Sequence, residues 1–133
     1  MKKNKAAYNN YVCPYCWNTL NNCTCELFPP YHLIFIDKNI QEHIRILNEK
    51  GYRTTACCEG HRTKCINTYI SFSEDYFNNI GTPEGFKYDK KRKTITYTYS
   101  MKLSEEKMEE LKSEKLLILS EWIKNLPNRN VEN

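Results

Sequence analysis

The sequence of 133 residues has no long apolar run and little glycine. No stretch approaches the roughly 20 apolar residues that a membrane-spanning helix needs, and the opening stretch MKKNKAAYNNYV lacks the apolar segment of a secretory signal. None of the four glycines belongs to a phosphate-binding loop, and there is no paired-carboxylate or complete catalytic motif. We therefore expect a cytosolic protein that is not an enzyme.

The sequence also has no large excess of charge of either sign. With 20 basic and 16 acidic residues the net charge is +4, short of the strongly basic face of a dedicated nucleic-acid binder. The abundant residues are lysine, asparagine, isoleucine and tyrosine, which have AT-rich codons. This composition indicates a bacterial or phage genome of low GC content, and so the cytoplasm of a bacterial host cell.

The chain length corresponds to one domain with one modest core. Residues 1–30 are predicted to form a polar arm and a cysteine-rich segment, which ends at the stiff connector Phe28-Pro29-Pro30. Residues 31–133 are predicted to form a single α/β domain that ends in a helix.

Residues 32–36 are continuously apolar, which is typical of a strand covered on both faces. Asn39 is a candidate helix cap for residues 40–50, and Gly51 is a candidate left-handed stop. Residues 52–57 are rich in strand formers. The order strand, helix, strand predicts a right-handed crossover between parallel strands.

Three further strands are predicted at residues 68–72, 86–88 and 94–99, because apolar and polar residues alternate there. Ser104 is a candidate cap for the last helix. The predicted buried stripe of that helix comprises Met108, Leu111, Ile118, Trp122 and Leu126. The sequence therefore predicts an α+β (α/β-like) fold, with a mixed sheet of about five strands and two helices.

Four of the seven cysteines fall within 13 residues, at Cys13, Cys16, Cys23 and Cys25. The two-residue gap of the first pair lets two thiolates on one turn reach the same ion, which favours a structural Zn²⁺ site. Disulfides, unliganded thiols and iron–sulfur ligation are alternatives. The CPYC match also permits redox chemistry, but redox use needs a helix start after a buried strand and would leave the second pair idle. Because so short a polar segment cannot fold alone, the ion would supply its folding energy.

A second constellation follows the predicted strand at 52–57. Cys58, His61 and Cys65 have the residue types of an open three-ligand zinc site, with Glu59 as its acid or base. Asp37 is predicted beside them, at the end of the neighbouring strand.

The ordinary interpretation of the same stretch involves no chemistry. Cys57 would be a small buried residue, Glu59-Gly60 a turn and His61 a solvated loop residue. We favour this interpretation and keep the metal site as the alternative.

The pattern from Leu47 through TTACCEGH to the strand at 69–72 resembles the core motif of the wybutosine-synthesis tRNA methyltransferase family. That family has a strand ending in Thr-Thr, followed by Ser-Cys-Ser-Gly-Arg. The resemblance implies a shared local fold. Cys57, Glu59 and His61 replace the family's Ser, Ser and Arg, so the resemblance does not carry the activity over.

Basic residues cluster at the predicted hairpin tip, at Lys90, Lys91, Arg92 and Lys93. Such a tip can contact phosphates or an acidic protein surface, although a solvated loop is the simpler interpretation. The tip, a zinc segment and ten tyrosines together permit nucleic-acid binding. An RNA-modifying enzyme acting at Cys58 and His61 is a further alternative. Binding to another protein is favoured, since no convincing reactive centre accompanies the metal-pinned segment.

The cysteine pairs CPYC and CTC ahead of a small α/β domain resemble the zinc-binding anti-CRISPR inhibitors of the type II-A kind. This resemblance implies a phage-encoded protein that binds Cas9, or Cas9 with its guide RNA, and blocks guide or target DNA loading.

Overall fold

The structure, a computed structural model, describes residues 10–19, 22–25, 34–63 and 65–129. Residues 1–9 of the predicted arm, the Phe28-Pro29-Pro30 connector and the start of the strand expected at 32–36 lie outside these residues. The end of the arm is described and forms a strand at Tyr11–Val12, which was not predicted from the sequence. The described elements, in chain order, are β1 (Tyr11–Val12), β2 (Ile34–Phe35), a 3-10 turn (Lys38–Ile40), α1 (Gln41–Glu49), β3 (Thr54–Cys58), β4 (Asn67–Phe72), β5 (Lys87–Asp89), β6 (Thr94–Thr98) and α2 (Glu105–Lys124). The fold is α+β, as the sequence predicts.

The strands form two sheets. One has four strands in the order β3-β4-β6-β5, and the other is a two-stranded ribbon of β1 and β2. Every pairing among the described strands is antiparallel. The hairpin predicted around the basic tip is confirmed, because β5 pairs β6 with Asp89 opposite Thr94 and residues 90–93 between them.

The predicted parallel crossover is wrong. The strand that ends before Asp37 pairs with β1, while β3 pairs with β4, so the two do not share a sheet. Ile34 and Phe35 are 40% and 57% exposed, and among the described residues of this apolar run only Ile36 is buried. The prediction failed because an apolar strand in a small two-stranded ribbon has the same composition as a strand buried within a large sheet.

Helix α1 lies where the sequence predicts it, with Ile44 and Leu47 buried against the core. Gly51 follows with φ of 94°, the left-handed conformation expected at a helix stop. The predicted cap is wrong, because Asn39 lies within the 3-10 turn and its side chain binds Glu59.

Helix α2 begins as predicted, with Ser104 Oγ accepting a hydrogen bond from Lys107 N at 3.2 Å. Its buried residues are Met108, Lys112, Leu116, Leu119 and Ile123. Leu111, Ile118 and Trp122 are only half-buried. The predicted buried stripe is therefore partly wrong. The prediction assumed that no lysine would lie on the buried side of the helix, whereas Lys112 does.

One face of the four-stranded sheet packs against both helices. The core comprises Ile40, Ile44 and Leu47 around α1, Ile70, Phe72 and Ile95 from the sheet, and Leu116, Leu119 and Ile123 from α2. Tyr52 and Phe77 extend it, with their rings stacked at 5.7 Å between centroids. This two-layer arrangement leaves the loops and the ribbon at the edge of the core to carry a site.

Candidate metal centre

The turn that carries Cys13 and Cys16 follows β1 directly. Cys13 N donates to Asn18 O at 3.0 Å, and Trp17 N donates to Cys13 O at 2.8 Å. Trp17 has a φ of 61°, the left-handed conformation that lets the chain reverse within so few residues. Tyr15 N donates to Cys13 Sγ at 3.4 Å, so the partial positive charge of this backbone N–H points at the sulfur.

A second turn returns the chain to the first. Thr19 bridges antiparallel to Val12. Its carbonyl accepts hydrogen bonds from Asn22 N at 3.0 Å and from Cys23 N at 2.9 Å. The turn therefore holds Cys23 and Cys25 against the first cysteine pair. We call the described residues 13–19 and 22–25 the clip.

The four sulfurs of the clip lie within 4.8 Å of one another. Cys13 is buried and the other three are half-buried. The Sγ atoms of Cys13 and Cys25 are 3.8 Å apart, far beyond the bonded distance of about 2.05 Å in a disulfide. The seven cysteines, all among the described residues, form no disulfide. The cluster could therefore coordinate a metal ion.

Hydrogen bonds within the clip change the pKa values of Cys16 and Cys25. A backbone hydrogen bond from Asn18 lowers the pKa of Cys16 to about 7. The neighbouring thiol of Cys13 raises the pKa of Cys25 to about 12. Thiolates this close repel one another, and a central cation would remove that repulsion and displace the remaining protons.

The clip is joined to the core through β1. Val12 is 2% exposed and belongs to the core, and Trp17 packs against the same cluster. Ile36 N donates to Asn10 O at 2.6 Å, which continues the pairing of β1 with β2. A metal ion that holds the clip would thus also hold the ribbon in place.

The ribbon and the clip expose four large apolar or aromatic side chains. Tyr15 is 71% exposed, Phe35 57%, Ile34 40% and Tyr11 39%. The rings of Tyr11 and Phe35 pack edge to face at 5.4 Å between centroids. We call these four residues the apolar ribbon surface. Sequence reasoning missed it, because periodicity cannot distinguish a short exposed apolar run from a buried strand.

The structure brings together three residues of the second constellation. Ligand atoms of Asp37, Cys58 and His61 lie within 4.8 Å of one another. Cys57 packs against the core, and Cys65 forms an antiparallel bridge with His61. The prediction that Asp37 lies beside Cys58 and His61 is therefore confirmed. Its stated reason is wrong, because the strands before Asp37 and before Glu59 do not lie side by side in a parallel sheet.

Glu59 is engaged elsewhere. Its two carboxylate oxygens accept hydrogen bonds from Asn39 N and Asn39 Nδ2, both at 2.9 Å, and one of them also contacts Lys112 Nζ at 2.8 Å. Burial alone would raise the pKa of Glu59, but the ion pair with Lys112 and the Asn39 donors outweigh it and lower the pKa. A carboxylate held this way is poorly placed to carry protons for Cys58 and His61. The sequence contained one indication that Lys112 is buried. It lies four residues from both Met108 and Leu116, and so on the same face of the helix as these two apolar residues.

The basic tip is partly neutralised by its neighbours. Lys90 Nζ lies 4.0 Å from a carboxylate oxygen of Asp75, and Arg92 Nε lies 3.9 Å from one of Asp89. Lys93 Nζ donates to the carbonyl of Ser73 at 3.5 Å. The concentrated positive charge that the sequence suggests is therefore offset by two acidic residues.

Neither described helix is both long and apolar enough to cross a membrane. Comparisons with known protein families, with curated proteins and with solved structures found no match for this chain. The function is therefore inferred from the geometry of the clip, the ribbon and the Asp37 cluster.

Proposed function

We propose that this protein binds another protein through the apolar ribbon surface, and that the metal ion in the clip holds this surface in its binding shape. The observation that carries the proposal is the distribution of exposed apolar side chains. Of the six large ones among the described residues, four lie on the ribbon and the clip. Aromatic anchors of this kind dominate the binding energy of protein interfaces.

Zn²⁺ is the ion we propose for the clip. Tetrahedral zinc with four thiolates has Zn–S distances of about 2.3 Å, which places neighbouring sulfurs about 3.8 Å apart. The separation of Cys13 Sγ and Cys25 Sγ in the structure is 3.8 Å. The soft donor set and the two-residue gap of the first pair favour zinc over a hard cation.

The ion would aid binding by preorganisation. The clip is short and polar. Of the two residues of β1, which precedes it, only Val12 is buried in the core. Without an ion the ribbon would have to be ordered at the moment of binding, at a cost in free energy of association. In the metal-bound protein the ribbon is already ordered when the protein folds, so binding does not carry this cost.

The partner we propose to test first is Cas9, alone or with its guide RNA. The resemblance of the cysteine segment to type II-A anti-CRISPR inhibitors supports this choice. An inhibitor of that kind acts stoichiometrically by covering a surface needed for guide or target DNA loading. The partly neutralised basic tip and the absence of a strong charge excess favour contact with protein over imitation of nucleic acid.

Co-elution of the purified protein with Cas9 tests the partner. We expect a one-to-one complex that survives moderate salt, because its contacts are mainly apolar. Tyr15→Ala and Phe35→Ala should each weaken it at least tenfold. Met101→Ala and Leu117→Ala are matched controls, since these residues are 81% and 63% exposed but lie outside the ribbon.

Two results would contradict the proposal. Equal loss of binding in the ribbon variants and in the controls would remove the ribbon from the interface. The absence of any complex with Cas9, together with salt-sensitive binding of RNA or DNA that is lost on neutralising Lys90, Lys91, Arg92 and Lys93, would favour a nucleic-acid binder instead.

A further inference from the structure

A second ligand cluster lies at the carboxyl end of β3, apart from the clip. Cys58 is the last residue of β3 and is 6% exposed. His61 follows after a short loop, and Asp37 precedes the 3-10 turn that leads into α1. One ligand atom from each lies within 4.8 Å of the other two.

Backbone donors already orient the two acidic ligands. Glu59 N donates to Asp37 Oδ2 at 3.1 Å, and Gly60 N donates to Cys58 Sγ at 3.4 Å. Burial raises the pKa of the Cys58 thiol to about 12, so an ion bound here would have to displace the thiol proton. His61 Nε2 lies 2.9 Å from the same Asp37 oxygen.

The loop that carries these donors has a fixed shape. Gly60 has a φ of 103°, and a Cβ at this position would lie 3.0 Å from the Tyr99 ring and 3.1 Å from Thr68 Oγ1. Thr68 Oγ1 also donates to Glu59 O at 2.8 Å. The loop backbone between Cys58 and His61 is therefore held from both sides.

We propose that Asp37, Cys58 and His61 bind a second divalent ion of the zinc class. The set combines one thiolate, one carboxylate and one imidazole, so the two anionic ligands balance the charge of the ion. Mixed sulfur, nitrogen and oxygen ligands of this kind suit zinc. This site does not depend on the function proposed for the ribbon.

The geometry requires only small adjustment to receive the ion. Tetrahedral zinc with imidazole and carboxylate ligands separates their donor atoms by about 3.3 Å, slightly more than the distance between His61 Nε2 and Asp37 Oδ2. The His61 side chain is 38% exposed, which leaves it room to move outward. The three side chains line one pocket, together with Asn10, Phe35, Cys57, Thr63, Cys65 and Tyr69.

Metal content of the purified full chain tests the proposal. His61→Ala and Asp37→Asn should each hold one zinc ion fewer per chain than the wild-type protein. Cys57→Ala is the matched control, because this neighbouring cysteine packs against the core and should leave the content unchanged. Equal content in wild type and His61→Ala would overturn the proposal.

X-ray absorption of the wild-type zinc protein gives a readout that needs no variant to fold. We expect nitrogen or oxygen ligands at about 2.0–2.1 Å in addition to sulfur at about 2.3 Å. His61→Ala should lose the nitrogen and oxygen contribution and keep the sulfur shell of the clip. A sulfur-only shell in the wild-type protein would overturn the second site while leaving the clip intact.

Discussion

Lys112 Nζ lies 2.8 Å from a carboxylate oxygen of Glu59, and the two side chains are only 8% and 6% exposed. The pair joins the middle of α2 to the loop that follows β3. Lys112 Nζ also donates to Gly60 O at 3.3 Å, and the Glu59 carboxylate accepts from Asn39 N. One buried ion pair thus fixes the helix, the loop and the start of α1 relative to one another.

Removal of one partner should be costly. Lys112→Met leaves a buried carboxylate without its cation, and we expect the free energy of unfolding to fall by about 3 kcal/mol. Urea unfolding measures this loss. Lys107→Met is the matched control on the same helix, since Lys107 and Glu110 form an exposed pair at 3.8 Å whose loss should cost less than about 1 kcal/mol.

A double variant separates the pair from the packing. Lys112→Met with Glu59→Gln removes both charges, so it should be more stable than Lys112→Met alone. A double variant less stable than either single variant would show that the charges do not act as a pair.

The same pair predicts how stability depends on pH. The pKa of Glu59 is lowered in the folded protein, so its stabilisation is complete above the unfolded carboxyl pKa of about 4.3 and is lost as pH falls through the lower folded value. Burial alone would lower the pKa of Lys112, but the carboxylates of Glu59 and Glu109 together outweigh it and raise the pKa. Its stabilisation is complete below about pH 10.4 and is lost as pH rises through the higher folded value.

Urea unfolding at pH 3 and pH 7 checks the acid limb. The wild-type protein should lose more stability between these pH values than the Lys112→Met, Glu59→Gln double variant does. Equal losses would mean that Glu59 titrates with an unshifted pKa.

Removal of the metal from the clip should loosen the clip and leave the core folded. We expect chelation to shift the emission of Trp17, a residue of the clip whose side chain packs against the core. A Trp122→Phe background removes the other tryptophan signal. Hydrogen exchange of α2 should stay slow, because its packing against α1 and the sheet does not involve the ion. Unchanged emission after loss of the ion, or fast exchange throughout α2, would contradict this prediction.

Two glycines offer a matched test of the loop after β3. Gly60→Ala should destabilise the protein by more than about 1 kcal/mol, because alanine resists a positive φ and its Cβ would meet Tyr99 and Thr68. Gly81→Ala should have little effect, since its Cβ would have no neighbour within 4 Å and its φ is not in the left-handed region. Thermal unfolding of the two variants side by side measures the difference.

Much of the secondary structure could be predicted because its causes are local. The apolar spacing in α1, the Ser104 cap of α2 and the alternation in β4 and β6 each depend on residues close in the chain, and these predictions are confirmed. The spacing of Cys13, Cys16, Cys23 and Cys25 likewise indicated one cluster, and the structure brings their sulfurs together. Which metal the cluster binds stays a prediction.

Only the tertiary structure decided how these local elements combine. The pairing of β2 with β1, and not with β3, depends on a contact between segments more than 20 residues apart, which no local pattern encodes. Burial of Lys112 depends on Glu59, 53 positions away in the chain. The meeting of Asp37 with Cys58 and His61 has the same origin, because short-range preferences shape each segment whereas burial and charge pairing select which segments touch.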